Sequence, residues 1–322
     1  MNFETQLNSF HVRNFRQPDD ISRLLSLLEE AEAVDASGED ISESAVRAQL
    51  EVPGHDPQED RWVVEHPTKP DTLIGHAAIY VGAHDGISVI AEANLVVHPL
   101  WRQRGLGSTL FSSAMNRART LGANHIRLYA DRKHEPFVQF MKKKRLVPVA
   151  TYTEMRSMVL NNADLLPSGF TILPYTVVSD PLLLVAAYNT CYAEQWGHHQ
   201  VTLERIEKSL PHINADGLFM MFSSDHTLAG MCRSGQSKQR TERNGQTTGY
   251  IDAPGVIPAL RAPHLYGALL LHAAKWLREN NSIIELESWG DAPETIELYR
   301  ELGFELLRQQ DAYQGALEHE AA

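Results

Sequence analysis

Only two cysteines, Cys191 and Cys232, occur in the 322 residues. Far apart and unaccompanied, they make no disulfide framework, and such scarcity is what a reducing cytosol favours. No apolar run approaches the roughly 20 residues of a membrane-spanning helix. The opening Met1-Asn2-Phe3-Glu4 has neither the basic region nor the apolar core of a secretory signal. The expected location is therefore cytoplasmic, with no membrane partner. Basic charge is also in deficit: 29 Lys and Arg face 41 Asp and Glu, a net charge of −12. Nucleic acid is bound through basic stripes, so the balance argues against that partner. The one basic run, Lys142-Lys143-Lys144-Arg145, reads as a solvated helix end. Neither a cysteine nor an acid completes a zinc pattern around His198-His199, and no metal is expected.

What is present is a 43% hydrophobic composition over a length that suits two domains. The chain begins with a strand at Phe10-His11-Val12 and a helix after Pro18-Asp19-Asp20 with Ile21, Leu24, Leu25 and Leu28 on one face. Ser42 caps a second helix carrying Val46 and Leu50. Strands at Trp62–Val64, Leu73–Tyr80 and up to Val97 follow, then a glycine loop and a helix ending at Gly122. A strand at Ile126–Ala130, a helix at Pro136–Lys144 and an extended stretch at Leu146–Leu160 complete the set. Asn161–Gly169 reads as a linker. The order then repeats. Asp20 recurs as Asp180, Ser42 as Thr202, Val46 as Ile206 and Leu50 as Leu210, each a step of 160 residues. Gly75 recurs as Gly230, Pro99 and Arg102 as Pro258 and Arg261, and Leu146 as Phe304, with small changes of offset. This many matches in order indicate a tandem duplication, with domains at 1–160 and 161–322.

The stretch that organises the first copy is Leu95-Val96-Val97-His98-Pro99-Leu100-Trp101-Arg102-Gln103-Arg104-Gly105-Leu106-Gly107. A strand runs into a proline and an arginine-flanked glycine loop that opens a helix. Amides at such a junction are unpaired, and the helix dipole favours negative charge there. Gly105 and Gly107 leave room for phosphates against the main chain. A Walker A loop would need a lysine before Ser108-Thr109 and is ruled out. A dinucleotide loop would need a third glycine where Leu110 stands, although Asp131, closing the next strand, keeps that reading open. The bland alternative is a glycine-softened turn.

Val97-His98-Pro99 with Arg102-x-x-Gly105-x-Gly107 resembles motif A of the GNAT superfamily, the Gcn5-related N-acetyltransferases. The family pattern V-x-P-x-x-[RQ]-x-x-G-x-[GA] fits at every defined position. Leu298-Tyr299-Arg300-Glu301-Leu302-Gly303-Phe304 is similar to the family ending L-Y-x-x-x-G-F, behind a capping-box-like Asp291-Ala292-Pro293-Glu294. The resemblance implies two tandem α/β domains, each a twisted mixed sheet with helices on both faces. It also implies that acetyl-CoA is the acyl donor. Its pyrophosphate would meet Arg102, Gln103, Arg104, Gly105, Leu106, Gly107 and Ser108, and its pantetheine arm the main chain at Val96 and Val97. In the second copy, His264 and Tyr266 replace the glycines and Pro263 removes a donor, so the cofactor belongs to the first copy.

The first copy has Met141 where the second has Tyr299, a position at which family tyrosines often protonate the departing thiolate. A thiol with pKa near 8.5 forgoes on the order of 1–2 kcal/mol without an acid, whereas an alkylamine near 10.4 needs roughly 4 kcal/mol of help in losing its proton. A base therefore matters more than an acid. Glu92, on the strand leading to Val97, is the candidate base. Tyr129 and Tyr80, at the ends of flanking strands, are candidate acids, or else packing residues. Tyr192–His199 lies between the leading helices of the second copy, where the resemblance puts the acceptor, and Glu194, Trp196 and His198 are candidate acceptor contacts. The expected activity is N-acetylation of a small-molecule amine. The alternative is a non-catalytic acyl-CoA-binding or scaffold protein. The sequence specifies neither the acceptor nor the oligomeric state.

Overall fold

The computed structural model describes residues 10–84, 88–160 and 166–318. Met1–Glu4 and the first part of the expected linker, 161–165, lie outside the described residues. The chain forms two compact units, residues 1–149 with 312–322, and residues 150–311. These units do not divide at 160/161. Strands β6 (Val147–Ser157) and β13 (Glu305–Ala316) each contribute one end to either unit.

In the first unit, β1 is Val12–Asn14, two residues later than the sequence suggested. Helix α1 (Asp19–Asp35) starts on two acidic residues that suit its dipole and buries Ile21, Leu24, Leu27 and Ala31. Helix α2 (Glu43–Leu50) is capped by Ser42, whose side chain accepts from the Ala45 amide. Strands β2 (Arg61–His66), β3 (Lys69–His84) and β4 (Ser88–Val97) form an antiparallel run. Helix α3 (Leu106–Thr120) then crosses to β5 (His125–Asp131), which is parallel to β4, and helix α4 (Glu135–Lys143) follows. The sheet order is β1-β2-β3-β4-β5, closed by the end of β13.

Alternation along the strands explains why helices lie on both faces. Val63 and Val64 are both fully buried, yet Val63 packs with α1 and α2 while Val64 packs with Leu106 and Leu110 of α3. Residue 75 must be small, because a Cβ there would sit 3.1 Å from Leu110.

The second unit repeats this plan. It contains β7 (Phe170–Pro174), a short helix α5 (Tyr175–Val178), α6 (Pro181–Cys191), α7 (Leu203–Ser209), β8 (Leu218–Ser223) and β9 (Leu228–Gln236). Helix α8 (Lys238–Asn244), β10 (Thr248–Asp252), β11 (Gly255–Val256), α9 (Pro263–Arg278), β12 (Ile283–Trp289) and α10 (Pro293–Glu301) complete it. The sheet order is β13-β6-β12-β10-β9-β8-β7, with β11 on β9 and the β10–β12 pair parallel. Equivalent positions keep their tasks. Thr202 caps α7 as Ser42 caps α2, Ile206 is buried like Val46, and Gly230 faces Leu269 as Gly75 faces Leu110. Asp291 does not act as a helix cap. The N-cap of α10 is Ala292, which makes no side-chain bond, and Asp291 instead accepts from the Tyr299 hydroxyl at 3.0 Å. Both cysteines are free and buried.

Candidate active site

The turn between β4 and α3 is built to keep amides exposed. Gln103 and Gly105 both take positive φ, 60° and 88°, and Gly105 is the N-cap of α3. The first intrahelical bond runs from the Thr109 amide to Gly105 O, so the amides of Leu106, Gly107 and Ser108 fall in the turn that no helical carbonyl reaches. The Leu106 side chain is buried beneath, which anchors the turn, while Gln103, Arg104 and Gly105 are exposed. Arg102 holds the turn in place rather than pointing outward. Its Nε donates to Val97 O at 3.0 Å and its two terminal nitrogens grip Asp35 at 2.7 and 2.5 Å. With its charge matched by a bidentate carboxylate, it orients the loop more than it attracts anions. Arg104, exposed, lies over the Trp101 ring at 4.7 Å and makes no ion pair among the described residues.

Beside this turn the sheet opens. The β4–β5 ladder runs Ile90↔His125, Ala91↔Ile126 and Glu92↔Arg127, and no further pair joins the two strands. Beyond it β4 is paired only on its β3 side, with Val96 opposite His76 and Val97 opposite Gly75. Parallel strands that part in this way leave main-chain groups of Val96 and Val97 facing a wedge. Glu92 stands where the strands part. It accepts from the Tyr129 hydroxyl at 2.7 Å and from Arg127 at 3.4 Å, and its side chain is 37% exposed. Burial, and then the Glu92 charge, push the Tyr129 hydroxyl well above the ordinary tyrosine value, so it stays protonated and donating. Tyr80, directly opposite Glu92 on β3, accepts a hydrogen bond from Arg61 and donates towards Gln49.

In the second unit the strands part later, since β11 (Gly255–Val256) pairs only with β9. Ala253 continues the β10–β12 pairing by donating to Glu287 O, and α9 begins at Pro263, with His264 exposed and Tyr266 partly buried over the turn. Arg261 repeats Arg102: it donates to Val256 O and pairs with Glu194. Glu194 is therefore the counterpart of Asp35, a clamp on the second loop. Trp196 stacks on Trp289 with centroids 5.1 Å apart, and His198 keeps a buried Nε2 without a hydrogen-bond partner. Tyr299 is wholly buried against Asp291. Where β12 pairs with β6, the sheet carries a charge lattice in which Glu154 and Glu285, both buried, meet Arg240 and Arg243 of α8, with Arg156 also on Glu285.

Sequence reasoning missed Asp35, Arg127 and this lattice. Asp35 lies at a helix end 67 residues before its partner, and nothing local announces it. The equal spacing of Asp35–Arg102 and Glu194–Arg261 was the one available signal, since both pairs recur with the repeat. Among the described residues there is no group of three metal-ligating side chains, and no helix is long and apolar enough to cross a membrane.

Residues 23–145 and 183–304 each match the acetyltransferase (GNAT) family. Among similar proteins is the mycothiol acetyltransferase of Mycobacterium avium, 27% identical over 234 residues, which are 69% of this chain and 72% of that one. That of Rhodococcus erythropolis is 26% identical over 257 residues, 77% and 82% of the two chains. Solved structures of like fold include a GCN5-related N-acetyltransferase from Sphaerobacter thermophilus, with a TM-score of 0.73 and 18% identity over 97% of both chains. A tandem GNAT protein from the clavulanic acid biosynthesis pathway aligns with a TM-score of 0.64 and 15% identity over 97% of this chain and all of that one. With two matched stretches that span most of its length and relatives of that activity, the chain belongs to the GNAT family and is an acetyltransferase made of two tandem copies.

Proposed function

We propose that the protein is an N-acetyltransferase that moves the acetyl group of acetyl-CoA to the amine of a small molecule, and that the reaction runs in the first unit. The observation that carries this reading is the parting of β4 and β5 at Glu92, with an open amide turn at Gly105–Ser108 beside it. The residues fit the donor: first-turn amides suit a pyrophosphate, and the β5-side edge of β4 at Val96–Val97, where Arg102 takes only Val97 O, suits the amide groups of a pantetheine arm. The second unit's turn is poorer in donors, because Pro263 supplies none and the partly buried Tyr266 stands where Gly107 stands in the first.

At the apex, Tyr129 occupies one oxygen of Glu92 and leaves the other for the acceptor. Glu92 takes a proton from the incoming ammonium, and the neutral amine attacks the thioester carbonyl. Tyr129 keeps Glu92 in place by donating a hydrogen bond to it. The thiolate leaves with little need of an acid, which accounts for the tolerance of Met141. The names of the relatives add a mycothiol-related amine to the acceptors worth testing.

The test is thermal stability against acetyl-CoA concentration. The wild type gains stability with ligand. Gly105→Glu, which brings a like charge and a side chain to a position with φ of 88°, loses that gain. An equal gain in the variant would refute the placement of the donor.

A further inference from the structure

Arg61 is completely buried, yet it makes no ion pair among the described residues. Its Nε donates to His55 Nε2 at 2.8 Å, and its Nη2 donates to Gln49 O at 3.0 Å and to the Tyr80 hydroxyl. Nη1 has no partner. His55 cannot supply a counter-charge: its Nε2 accepts, so its proton sits on Nδ1, which faces Ile79 O at 3.0 Å. Asp60, the next residue, is occupied by Arg117 at 2.7 Å and by the Asp56 amide. One strand away His76 is 4% exposed, and its Nε2 is also without a partner. A guanidinium stays charged, and a buried charge with neither counter-ion nor full hydrogen bonding is costly. Two orphaned nitrogens in one small region of a sheet face ask for one acceptor group.

The sheet register shows where that region lies. Arg61, Ala78 and Asn94 form one cross-strand row, Val63, His76 and Val96 the next, and Tyr80, Glu92 and Arg127 the row on the other side. Directly opposed residues share a face, so all of these point to the side covered by α1 and α2. Ala78, with only a methyl group, is the low point among Arg61, His76, Tyr80 and Asn94. Asn94 is exposed and opens the row towards the wedge. Neighbouring rows on one face are about 7 Å apart and neighbouring strands about 5 Å. By these spacings the Cα atoms of Arg61 and His76 are roughly 12 and 15 Å from that of Glu92, a gap that the side chains and an elongated amino acid together would span.

We infer that Arg61 Nη1 and His76 Nε2 bind a carboxylate of the acceptor, so that the substrate class is an amino acid whose amine reaches Glu92 while its carboxylate is held over Ala78. The inference rests on the first unit being the reacting centre. Arg61 supplies the counter-charge that anchors the carboxylate, and His76, neutral in its buried setting, contributes an N–H. Tyr80, held by Arg61 and facing Glu92, links the two ends.

The experiment measures thiol release from acetyl-CoA by the full chain with matched amines: β-alanine against ethylamine, γ-aminobutyrate against propylamine, and lysine against cadaverine. In the wild type the carboxylate member of at least one pair has a kcat/KM on the order of 10- to 100-fold higher, the range of a charge-assisted hydrogen bond. That ratio falls to near unity in Arg61→Met and in His76→Leu, each checked for folding by circular dichroism. Equal rates within every pair in the wild type, or a ratio that survives both substitutions, overturn the inference. So does a crystal structure at saturating amino acid with only a water between the two nitrogens. If the wild type turns over no amine at all, the assignment of the reaction to the first unit is what fails. The anion site is then read by thermal stability with the same amino acids: a shift in the wild type that is absent in Arg61→Met sustains it, and no shift refutes it.

Discussion

Glu92 and Tyr129 sit at the closed end of the wedge, each the other's partner at 2.7 Å, with Arg127 as a third member. If Glu92 removes the amine proton, Glu92→Gln lowers kcat by about 10²- to 10⁴-fold, the usual range for general bases. Tyr129→Phe leaves the carboxylate in place but unheld, so its loss is smaller and is accompanied by a changed pH–rate profile. Rate profiles of the two variants between pH 6 and 10 check this, and an unchanged kcat in Glu92→Gln contradicts the assignment. A second expectation concerns stability. Burial, then Arg61, then His55 depress the His76 imidazole well below its ordinary value of 6.5, and Asp20 opposes them only weakly. Its native form stays neutral while the unfolded chain takes up a proton below that value. The contribution is present above pH 6.5 and is lost as the pH falls. Denaturation midpoints measured from pH 7.5 to 5 should drop in the wild type, and less steeply in His76→Leu. Glu92 was singled out in the sequence by its place on the strand before Val97. Asp35 and Arg61 were not, because their importance lies in partners that folding brings from distant sequence.

Helix signals survive translation into structure where they are local. Ser42 and Thr202 both accept from the amide three residues on, as their side chains favour. Replacing either by alanine costs about 1 kcal/mol, measurable by chemical denaturation. Asp291 carried the same kind of signal, but Tyr299, eight residues on, takes its carboxylate in a buried setting, so tertiary hydrogen bonding wins over capping. The parting of β4 and β5 was invisible in the sequence, because register belongs to two strands together. Glycine tells more when its surroundings are known. A Cβ on Gly230 would lie 2.8 Å from Gly255 O and 2.9 Å from Leu269, where main chain cannot give way. Gly230→Ala should therefore destabilise the second unit by roughly 1–3 kcal/mol. The same change at Gly38, where nothing lies within 4 Å but φ is +73°, reports backbone strain alone and separates the two causes.

Across the whole chain, the duplication was readable, yet the compact units are not the two sequence halves. A repeat fixes which segments are equivalent, but it does not fix which copy of a terminal strand completes which sheet. Residues 150–157 of β6 pair with β12, from Trp289↔Tyr152 to Ile284↔Ser157, inside the second unit. The first unit instead takes the end of β13. Ala312, Tyr313 and Leu317 are buried there, Tyr313 and Leu317 with Ile126, Leu128 and Leu146. Gln314 accepts from Arg127 at 2.8 Å, and the Leu317 amide donates to Asn124 O at 2.8 Å. Arg127 in turn lies against Glu92, so the last strand of the chain supports the apex of the first wedge. Losing two buried large side chains costs about 1.5–3 kcal/mol each, a large fraction of the stability of a domain this size. A fragment of residues 1–160 should therefore be unfolded or protease-sensitive, although it contains the whole acetyl-CoA motif. The chain shortened by residues 312–322 should lose its stabilisation by acetyl-CoA while a separate unfolding transition of the second unit persists. A 1–160 fragment that folds cooperatively and responds to acetyl-CoA would show that the strand from the far end of the chain is dispensable.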